Sequence, residues 1–300
     1  MTVPLVDMSG DPDPGPSIDA GFAAFGFLQL ANIGIDPAEL EMVFGESDAF
    51  FHGTAEVKRR CAYRSAVENF GYQGLLEENL DPSAPADLKE TFTMRNILRN
   101  PLPPERWPST EFREVMTRFF DHALASAHRI QRLMATTLGL PEDFFVRAHT
   151  GDNVTLRLLH YPASGTSQPE PTQLGAGAHT DYGFITLLFQ HGVGGLQVVD
   201  SHGTWIDVPP REGVAVVNSG DLLERWTNGR YRSTMHRVIA KTGDRDRLSI
   251  AMFVDPDADT AVEALPSCVS AETPALFAPI TAGAHLQSKL EASHKGRFAR

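Results

Sequence analysis

The stretch that decides the fold reads Gly177-Ala-His-Thr-Asp-Tyr-Gly-Phe-Ile-Thr-Leu-Leu-Phe189. Its second half, Phe184–Phe189, is a short apolar run of the kind that forms a buried strand. Its first half carries His179 and Asp181, two positions apart. In an extended strand the side chains of residues i and i+2 project from one face, so an imidazole and a carboxylate are predicted to point together into a barrel mouth. A His-x-Asp pair is common by itself, and the alternative is an ordinary surface or capping role.

Five more apolar runs of similar length occur after about residue 150, separated by Gly, Asp, Asn and Pro. Short strands at this spacing are typical of an antiparallel sandwich or barrel. The predicted fold class is therefore α+β, with a mainly β core and flanking helices. The five runs are Val154–Tyr161, Leu196–Val199, Val214–Val217, His236–Ile239 and Leu248–Val254.

The first half of the chain is richer in helical spacing. Apolar residues at three- and four-residue steps predict helices over 36–60 and 110–138, the second ending at Gly139. Shorter segments predicted as strands are 3–7, 26–32 and 89–94. No repeat or linker divides the sequence, so we expect one compact unit. Its regions are helices and strands packed on the core (1–105), a long helix and connection (106–150), the β core (151–260) and a helical C-terminal segment (261–300).

The composition argues against several classes of protein. Lysine and arginine number 26 against 38 aspartates and glutamates, and the resulting net charge of −12 repels a nucleic-acid backbone. Only Cys61 and Cys268 are present, which argues against a disulfide framework or a cysteine-rich zinc site. The N-terminus lacks the basic region of a secretory signal, and no apolar stretch approaches the roughly 18 residues of a membrane span. We expect a cytoplasmic protein without nucleic-acid or membrane partners.

His179 and Asp181 could both bind a metal ion, and His236, which begins another predicted strand, could be the third ligand. Two histidines and one carboxylate on one face of an octahedron leave three positions open, as Fe(II) oxygenases require.

Arg247 and Ser249 again stand two positions apart on a predicted strand. A guanidinium binds a carboxylate through two hydrogen bonds, and a neighbouring hydroxyl can donate a third. These residues predict an anchor for the far carboxylate of a 2-oxo dicarboxylic acid that chelates the metal with its other end.

Together these residues give the sequence a family resemblance. It resembles the non-haem Fe(II)/2-oxoglutarate-dependent dioxygenases of the isopenicillin N synthase-like family, whose pattern His-x-Asp, His and Arg-x-Ser is met at His179, Asp181, His236, Arg247 and Ser249. Flanking segments extend the likeness over most of the chain except its C-terminal end. They are Val3–Asp7, Gly26–Asn32, Asp87–Phe92, Val193–Val198, Asn218–Leu222, Trp226–Gly229 and Tyr231–Val238.

The resemblance implies a double-stranded β-helix (jelly roll) with helices outside. It also implies an enzyme that uses Fe(II), 2-oxoglutarate and O2, with ascorbate as a supporting reductant. Such an enzyme would hydroxylate, desaturate or cyclise a small molecule and release succinate and CO2. Its iron ligands would be His179, Asp181 and His236, and its cosubstrate anchor Arg247 and Ser249. A place in secondary metabolism and a monomer or weak homo-oligomer are the accompanying expectations.

The resemblance further implies roles for residues around this centre. Many relatives have Asn-x-Tyr-Pro where this chain has Leu159-His-Tyr-Pro162, so Tyr161, which can touch the 2-oxo acid, is retained while the asparagine is lost. Phe253 stands where relatives place an aromatic that packs on substrate, and the alternative is a core residue. Phe92 and Arg95 are further candidates for the substrate pocket.

Three alternatives to this function stay open. An oxidase of the isopenicillin N synthase type has the same ligands but takes all four electrons from its substrate, and an ethylene-forming enzyme acts on 2-oxoglutarate itself. A non-catalytic jelly-roll binding protein would keep the fold and lose a ligand. Among the other histidines, His52 has no partner at ligand spacing and is expected in a surface or capping role. Strand alternation places His160 on the face opposite Tyr161.

Overall fold

The computed structural model describes residues 2–79, 85–163, 173–239 and 244–295, with side chains up to residue 289. The helices in these ranges are α1 (Gly15–Phe25), α2 (Pro37–Phe51), α3 (Ala55–Arg60), α4 (Thr110–Thr137), α5 (Phe144–Arg147), α6 (Asp221–Trp226) and α7 (Ala282–Lys295). None of these described helices is long and apolar enough to cross a bilayer. The strands are β1 (Leu5–Asp7), β2 (Phe27–Ala31), β3 (Phe70–Gln73), β4 (Glu90–Arg95), β5 (Val154–Tyr161), β6 (Leu174–His179), β7 (Ile185–His191), β8 (Leu196–Val199), β9 (Trp205–Asp207), β10 (Val214–Ser219), β11 (His236–Ile239), β12 (Arg247–Val254), β13 (Ala261–Val262) and β14 (Ile280–Thr281).

Two β-sheets form the centre of the molecule. The larger has eight strands in the order β1-β2-β10-β7-β12-β5-β4-β3, and the smaller has four in the order β6-β11-β8-β9. Apart from the parallel β1–β2 pair, neighbouring strands in both sheets run antiparallel. Strands from the N-terminal part lie at both edges of the larger sheet, so they complete the sheet that the core strands begin. The arrangement confirms the predicted jelly roll with flanking helices.

The two faces of the larger sheet pack against different layers. Leu159 of β5 points inward and shares a buried apolar cluster with Val198 and Val238 of the smaller sheet. Its neighbour Leu158 points outward into the core that contains Phe119 of α4. Alternate residues of one strand therefore serve a cavity-facing layer and a helix-facing layer. The residues predicted to form the apolar face of α4 are all buried: Val115, Phe119, Ala123, Ile130 and Met134.

Two predicted helical segments differ from the structure. The segment 36–60 is two helices, because α2 ends at Phe51 and Thr54 caps a new helix by accepting a hydrogen bond from the amide of Val57. The C-terminal segment is helical only from Ala282. The prediction of a helix is wrong for residues 261–281, which contain β13, a 3-10 turn and β14.

The strand β6 has no apolar run to predict it. Its sequence, Leu174-Gly-Ala-Gly-Ala-His179, consists mainly of residues with low strand propensity. The small residues are required by packing, because a Cβ atom on Gly175 would lie only 2.8 Å from Cδ1 of Tyr161. Because Gly175 has no side chain, the Tyr161 ring can lie against the backbone of β6.

Candidate active site

The three predicted metal ligands meet at one end of the smaller sheet. His179 is the last residue of β6 and His236 the first of β11, and the two strands pair with these residues opposite each other. Oδ1 of Asp181 lies 3.7 Å from Nε2 of His179 and 3.6 Å from Nε2 of His236. One ligand atom from each residue lies within 4.8 Å of the other two. Small movements would let all three surround a metal ion at bond lengths of about 2.1 Å.

Both imidazoles are oriented through their other ring nitrogen. Nδ1 of His179 lies 2.7 Å from the carbonyl oxygen of Gly177, and Nδ1 of His236 lies 3.2 Å from that of Thr234. A carbonyl only accepts, so each Nδ1 carries the proton and each Nε2 keeps a lone pair for a metal. Burial lowers the pKa of His179 to about 3, which keeps its imidazole neutral as metal binding requires.

The Asp181 carboxylate is held through its second oxygen. Oδ2 accepts hydrogen bonds from Oγ1 of Thr186 at 2.6 Å and Nδ2 of Asn218 at 2.7 Å, which leaves Oδ1 toward the histidines. Burial alone would raise the pKa of Asp181, but His236, His179 and these hydrogen bonds hold it below its usual value. Since β6 ends at His179, the connection between β6 and β7 carries Asp181. The prediction that both residues share one extended strand is therefore wrong, although their side chains do converge.

The predicted carboxylate anchor lies at the start of β12. Arg247 is only 4% exposed, and it donates from Nη1 to Oγ of Ser249 and from Nη2 to Oε1 of Gln190, both at 3.1 Å. The Tyr161 ring lies 4.6 Å from its guanidinium carbon. Burial lowers the pKa of Arg247, because loss of solvent disfavours the charged form. Gln190 directly follows the apolar run of β7, and nothing in its local sequence indicates this role.

The Arg247 guanidinium still has an unused donor. Its Nε is buried without a hydrogen-bond partner, and no carboxylate in the described ranges forms an ion pair with it. A buried cation without a counter-ion is strongly disfavoured, so the site is suited to an incoming anion. Because Arg247 donates to Oγ of Ser249, the Ser249 hydroxyl proton is free to hydrogen-bond the same anion. The residues present therefore fit the far carboxylate of 2-oxoglutarate.

A cavity of about 480 Å³ contains both the metal ligands and the anchor. β5 and β12 form one long wall, with Arg247 opposite Tyr161 at one end and Phe253 opposite Thr155 about 20 Å further along. All four residues line the cavity. We use the name substrate end for the part of the cavity around Phe253, at the far end of this wall. It comprises Arg95, Asn153, Thr155, Arg157, Phe253 and Asp255.

Two of the three predicted pocket residues lie at this end. Phe253 and Arg95 line the cavity, whereas Phe92 does not. Phe92 is fully buried, with its ring centroid 4.9 Å from that of Phe50 and 5.3 Å from that of Phe112. Strand alternation along β4 sends Phe92 and Arg95 to opposite faces. The prediction that Phe92 contacts substrate is wrong, because its face of β4 packs on α2 and α4.

The substrate end has polar residues that the sequence motifs do not include. Arg157 donates from Nη2 to Oε1 of Glu78 at 2.5 Å, and its Nε is buried without a hydrogen-bond partner among the described residues. Nη2 of Arg95 donates to Oδ1 of Asn153 at 2.7 Å. Arg157 is on the same face of β5 as Tyr161, so strand alternation is the signal that could have identified it. Asn153 precedes the strand and has no comparable signal.

The buried carboxyl of Asp255 is expected to make the folded protein less stable as pH rises. Burial raises its pKa from 3.8 to about 7, so the folded protein keeps a proton that the unfolded chain has lost, and stability falls as pH rises between these values. Asp255→Asn removes the ionisation and can still accept the Phe184 amide, now 2.9 Å from Oδ1. We expect the advantage of the metal-free variant over wild type to grow by roughly 2–3 kcal/mol between pH 5 and pH 8. Urea unfolding at both pH values measures it, and a pH-independent difference would contradict the assignment.

Two histidines and an aspartate beside a buried arginine, inside a jelly roll, define the class of non-haem Fe(II)- and 2-oxoglutarate-dependent oxygenases. Residues 153–256 match the family described as the 2OG-Fe(II) oxygenase superfamily, and residues 3–110 match the one described as "non-haem dioxygenase in morphine synthesis N-terminal". The chain belongs to the 2OG-Fe(II) oxygenase superfamily. It is a 2-oxoglutarate/Fe(II)-dependent dioxygenase, as the sequence resemblance predicted.

Similar proteins cover nearly the whole chain. The 2-oxoglutarate-Fe(II) type oxidoreductase hxnY of Emericella nidulans is 36% identical over 285 residues, which is 88% of this chain and 81% of that protein. A full-length Neurospora crassa protein, solved in complex with alpha-KG and thymine, is 35% identical with a TM-score of 0.86 over 97% of both chains. JOX2, solved in complex with 2OG, Fe and JA, is 30% identical with a TM-score of 0.83 over 97% of this chain and 85% of that chain.

Proposed function

We propose that His179, Asp181 and His236 hold Fe(II), and that Arg247 and Ser249 hold the far carboxylate of 2-oxoglutarate. The observation that carries this assignment is the buried Arg247 cation, whose Nε has no partner and which lines the same cavity as the three ligands. A dianion that chelates the metal at one end and pairs with the guanidinium at the other satisfies both sites.

The protein residues supply geometry to this reaction. Fe(II) and 2-oxoglutarate, when bound, supply the oxidising chemistry with O2 and release succinate and CO2. The carbonyls of Gly177 and Thr234 keep each ligand histidine in the tautomer with a free Nε2, and Asp181 stays ionised. Tyr161 packs on the guanidinium and limits its rotation. Apolar side chains around the cavity exclude water from the reacting groups: Leu159, Leu188, Leu196 and Val238.

The proposed substrate is a small molecule with a carbonyl or carboxylate oxygen and a flat apolar part. Arg157 offers an unused Nε donor, and its charge is balanced by Glu78. Arg95 forms no salt bridge within the described ranges, and burial raises the pKa of Asp255 to about 7, so positive charge predominates at the substrate end below that pH. Phe253 offers a ring surface on the same wall. Thymine, bound in the Neurospora crassa complex, has carbonyl oxygens on a flat ring, which supports this substrate class.

Measuring products separates this function from its alternatives. Anaerobically purified protein is given Fe(II), 2-oxoglutarate and O2, and succinate and ethylene are measured with and without candidate carbonyl and carboxylate compounds, thymine among them. Succinate formation stimulated by such a compound, with one oxidised product per succinate, supports the proposal. Ethylene as the main product would identify the ethylene-forming alternative. Substrate oxidation without consumption of 2-oxoglutarate would identify the oxidase, and both outcomes would overturn the proposal.

Phe253→Ala tests whether the substrate end binds substrate, independently of the 2-oxoglutarate anchor at Arg247 and Ser249. Loss of an aromatic surface that packs on substrate removes about 1–2 kcal/mol of binding, so KM for the stimulating compound is expected to rise roughly tenfold. Succinate formation without substrate should stay near the wild-type rate, because Phe253 lies about 20 Å along the wall from Arg247. The truncation also leaves in place the hydroxyl of its cross-strand neighbour Thr186, which orients Asp181. Steady-state kinetics under both conditions measure the two quantities. An unchanged KM would show that Phe253 is only a wall residue.

Several expectations stay predictions. We propose that the enzyme is cytoplasmic, acts in secondary metabolism as a monomer or weak homo-oligomer, and is supported by ascorbate. The choice among hydroxylation, desaturation and cyclisation depends on the substrate. Light scattering at several concentrations tests the oligomeric state, and activity with and without ascorbate tests the reductant.

A further inference from the structure

Three side chains outside the cavity meet next to the cosubstrate anchor. Oδ2 of Asp246 accepts hydrogen bonds from Nε2 of His160 at 2.8 Å and from Nε2 of His52 at 3.0 Å. Oδ1 of Asp246 accepts one from the amide of Ala163 at 2.6 Å. We call these three side chains the Asp246 cluster. His52 is exposed at the end of α2, as expected of a surface or capping residue, but it also has a partner 194 residues away in the sequence that no local spacing indicates.

The Asp246 cluster joins three elements at one point. His52 caps the end of α2, His160 lies near the end of β5, and Asp246 immediately precedes β12. The first residues of β12 are Arg247, opposite Tyr161, and Leu248, opposite His160 itself. The cluster therefore fixes the backbone one residue before Arg247, at the end of the same strand pair that carries both anchor residues.

The hydrogen-bonding pattern assigns a proton to each histidine. In the part of the chain that the structure describes, Nδ1 of His160 is buried without a partner, and its ring stacks on Phe51 at a centroid distance of 5.2 Å. A bare lone pair is tolerated there better than an N–H, so the proton is on Nε2 and is donated to Asp246. In His52 both nitrogens face acceptors, since Nδ1 lies 3.0 Å from the carbonyl oxygen of Asp48. This backbone hydrogen bond raises the pKa of His52 and favours its cationic form.

The same pattern argues against a metal ion in the Asp246 cluster. Two histidines and an aspartate could hold one, and their ligand atoms lie within 4.8 Å of one another. A metal on Nε2 of His160 would move the ring proton to Nδ1, where it would be buried without an acceptor. Histidine ligands in proteins almost always donate that second N–H. The cluster is therefore better explained by hydrogen bonds from both histidines to a shared carboxylate.

We propose that the Asp246 cluster positions Arg247 and thereby sets the affinity of the enzyme for 2-oxoglutarate. The proposal rests on the proposed role of Arg247. The guanidinium is held on one side by Gln190 and Ser249 and on another by the Tyr161 ring, while its backbone is held by the cluster. A backbone shift at Asp246 would move Nε and both Nη atoms away from the carboxylate. It would leave in place His179 on β6, His236 on β11 and Asp181 on the connection after β6.

Asp246→Asn tests this proposal. In either orientation of the amide, its nitrogen would face at least one N–H donor in place of an acceptor, either those of the two histidines or that of Ala163, so the cluster would lose hydrogen bonds. We expect KM for 2-oxoglutarate to rise about tenfold while kcat at saturating 2-oxoglutarate stays within about twofold of wild type. Anaerobic titration of the Fe(II) protein with 2-oxoglutarate, followed by its charge-transfer absorbance, should show the same change in Kd. Asp244→Asn removes the same charge from an exposed position two residues away and should change neither value.

Further experiments distinguish a positioning role of the Asp246 cluster from a structural role and from a metal site. If Asp246→Asn unfolds, His52→Ala replaces it, because His52 is half exposed and its removal takes away one of the two histidine donors to Asp246. A two- to threefold rise in KM is then expected, because Asp246 is held less firmly. A lower melting temperature with an unchanged Kd for 2-oxoglutarate would show a merely structural cluster and overturn the proposal. A second equivalent of Zn²⁺ bound by wild type and lost in His52→Ala would also overturn it. If Arg247→Met itself leaves KM unchanged, the proposed function of Arg247 has failed, not the link to Asp246.

Discussion

His179→Ala is expected to lower substrate-stimulated succinate formation by about a thousandfold or more. The imidazole is one of three ligand groups, and its Nε2 is held toward the metal position by the hydrogen bond from Nδ1 to Gly177. Without it, Asp181 and His236 would bind Fe(II) with one bond fewer, and affinity should fall by more than about 100-fold. Metal content after dialysis and anaerobic Fe(II) titration measure the affinity, and succinate formation measures turnover.

The control for this experiment is His202→Ala. His202 is an exposed histidine in a turn outside the cavity, so its loss makes the same chemical change without touching the site. Iron affinity and turnover should stay at wild-type values. Succinate formation near the wild-type rate in purified His179→Ala would exclude His179 as an iron ligand and with it the proposed centre.

Arg247→Met should weaken the binding of 2-oxoglutarate without making the protein easier to unfold. Loss of charge-assisted hydrogen bonds to a carboxylate removes about 3 kcal/mol, so KM for 2-oxoglutarate is expected to rise roughly 100-fold. Iron binding should be unchanged, because the two proposed histidine ligands lie on the smaller sheet and Asp181 lies on the connection between β6 and β7. In the absence of 2-oxoglutarate the variant should unfold no more easily than wild type, since methionine fills much of the same volume without a buried, unpaired charge.

Arg237→Met is the matched control for Arg247→Met. Arg237 lies on β11 next to His236 in sequence, but its guanidinium stacks on Trp205 and donates to Gln197 outside the cavity. Its replacement should leave KM for 2-oxoglutarate near wild type. An unchanged cosubstrate dependence in Arg247→Met would instead favour an oxidase that takes all its electrons from the substrate. A large loss of stability in 2-oxoglutarate-free Arg247→Met would contradict the view that the charge is uncompensated.

Local patterns predicted the elements that are bounded by turn residues and filled with apolar ones. β5, β8 and β11 begin and end where their apolar runs predict, and α4 ends one residue before its predicted end. β6 was not predicted from the sequence, because it consists mainly of glycine and alanine, which have little strand propensity. Packing against Tyr161 requires such small residues. The break between α2 and α3 was not predicted either, because both helices have apolar residues at helical spacing, so the capping by Thr54 decides where the second begins.

The sequence by itself determined the class of enzyme and identified the candidate residues of its centre. Arg247 and Ser249 stand two positions apart on β12, so strand alternation places them on one face. His179 and Asp181 stay close in space because only one residue separates them. Only the tertiary structure decided the surroundings of these residues: Gln190 on Arg247, Arg157 at the substrate end, and the exclusion of Phe92. It also joined His52 to Asp246 across 194 residues. Contacts of this kind depend on how strands pair and helices pack, so no local spacing encodes them.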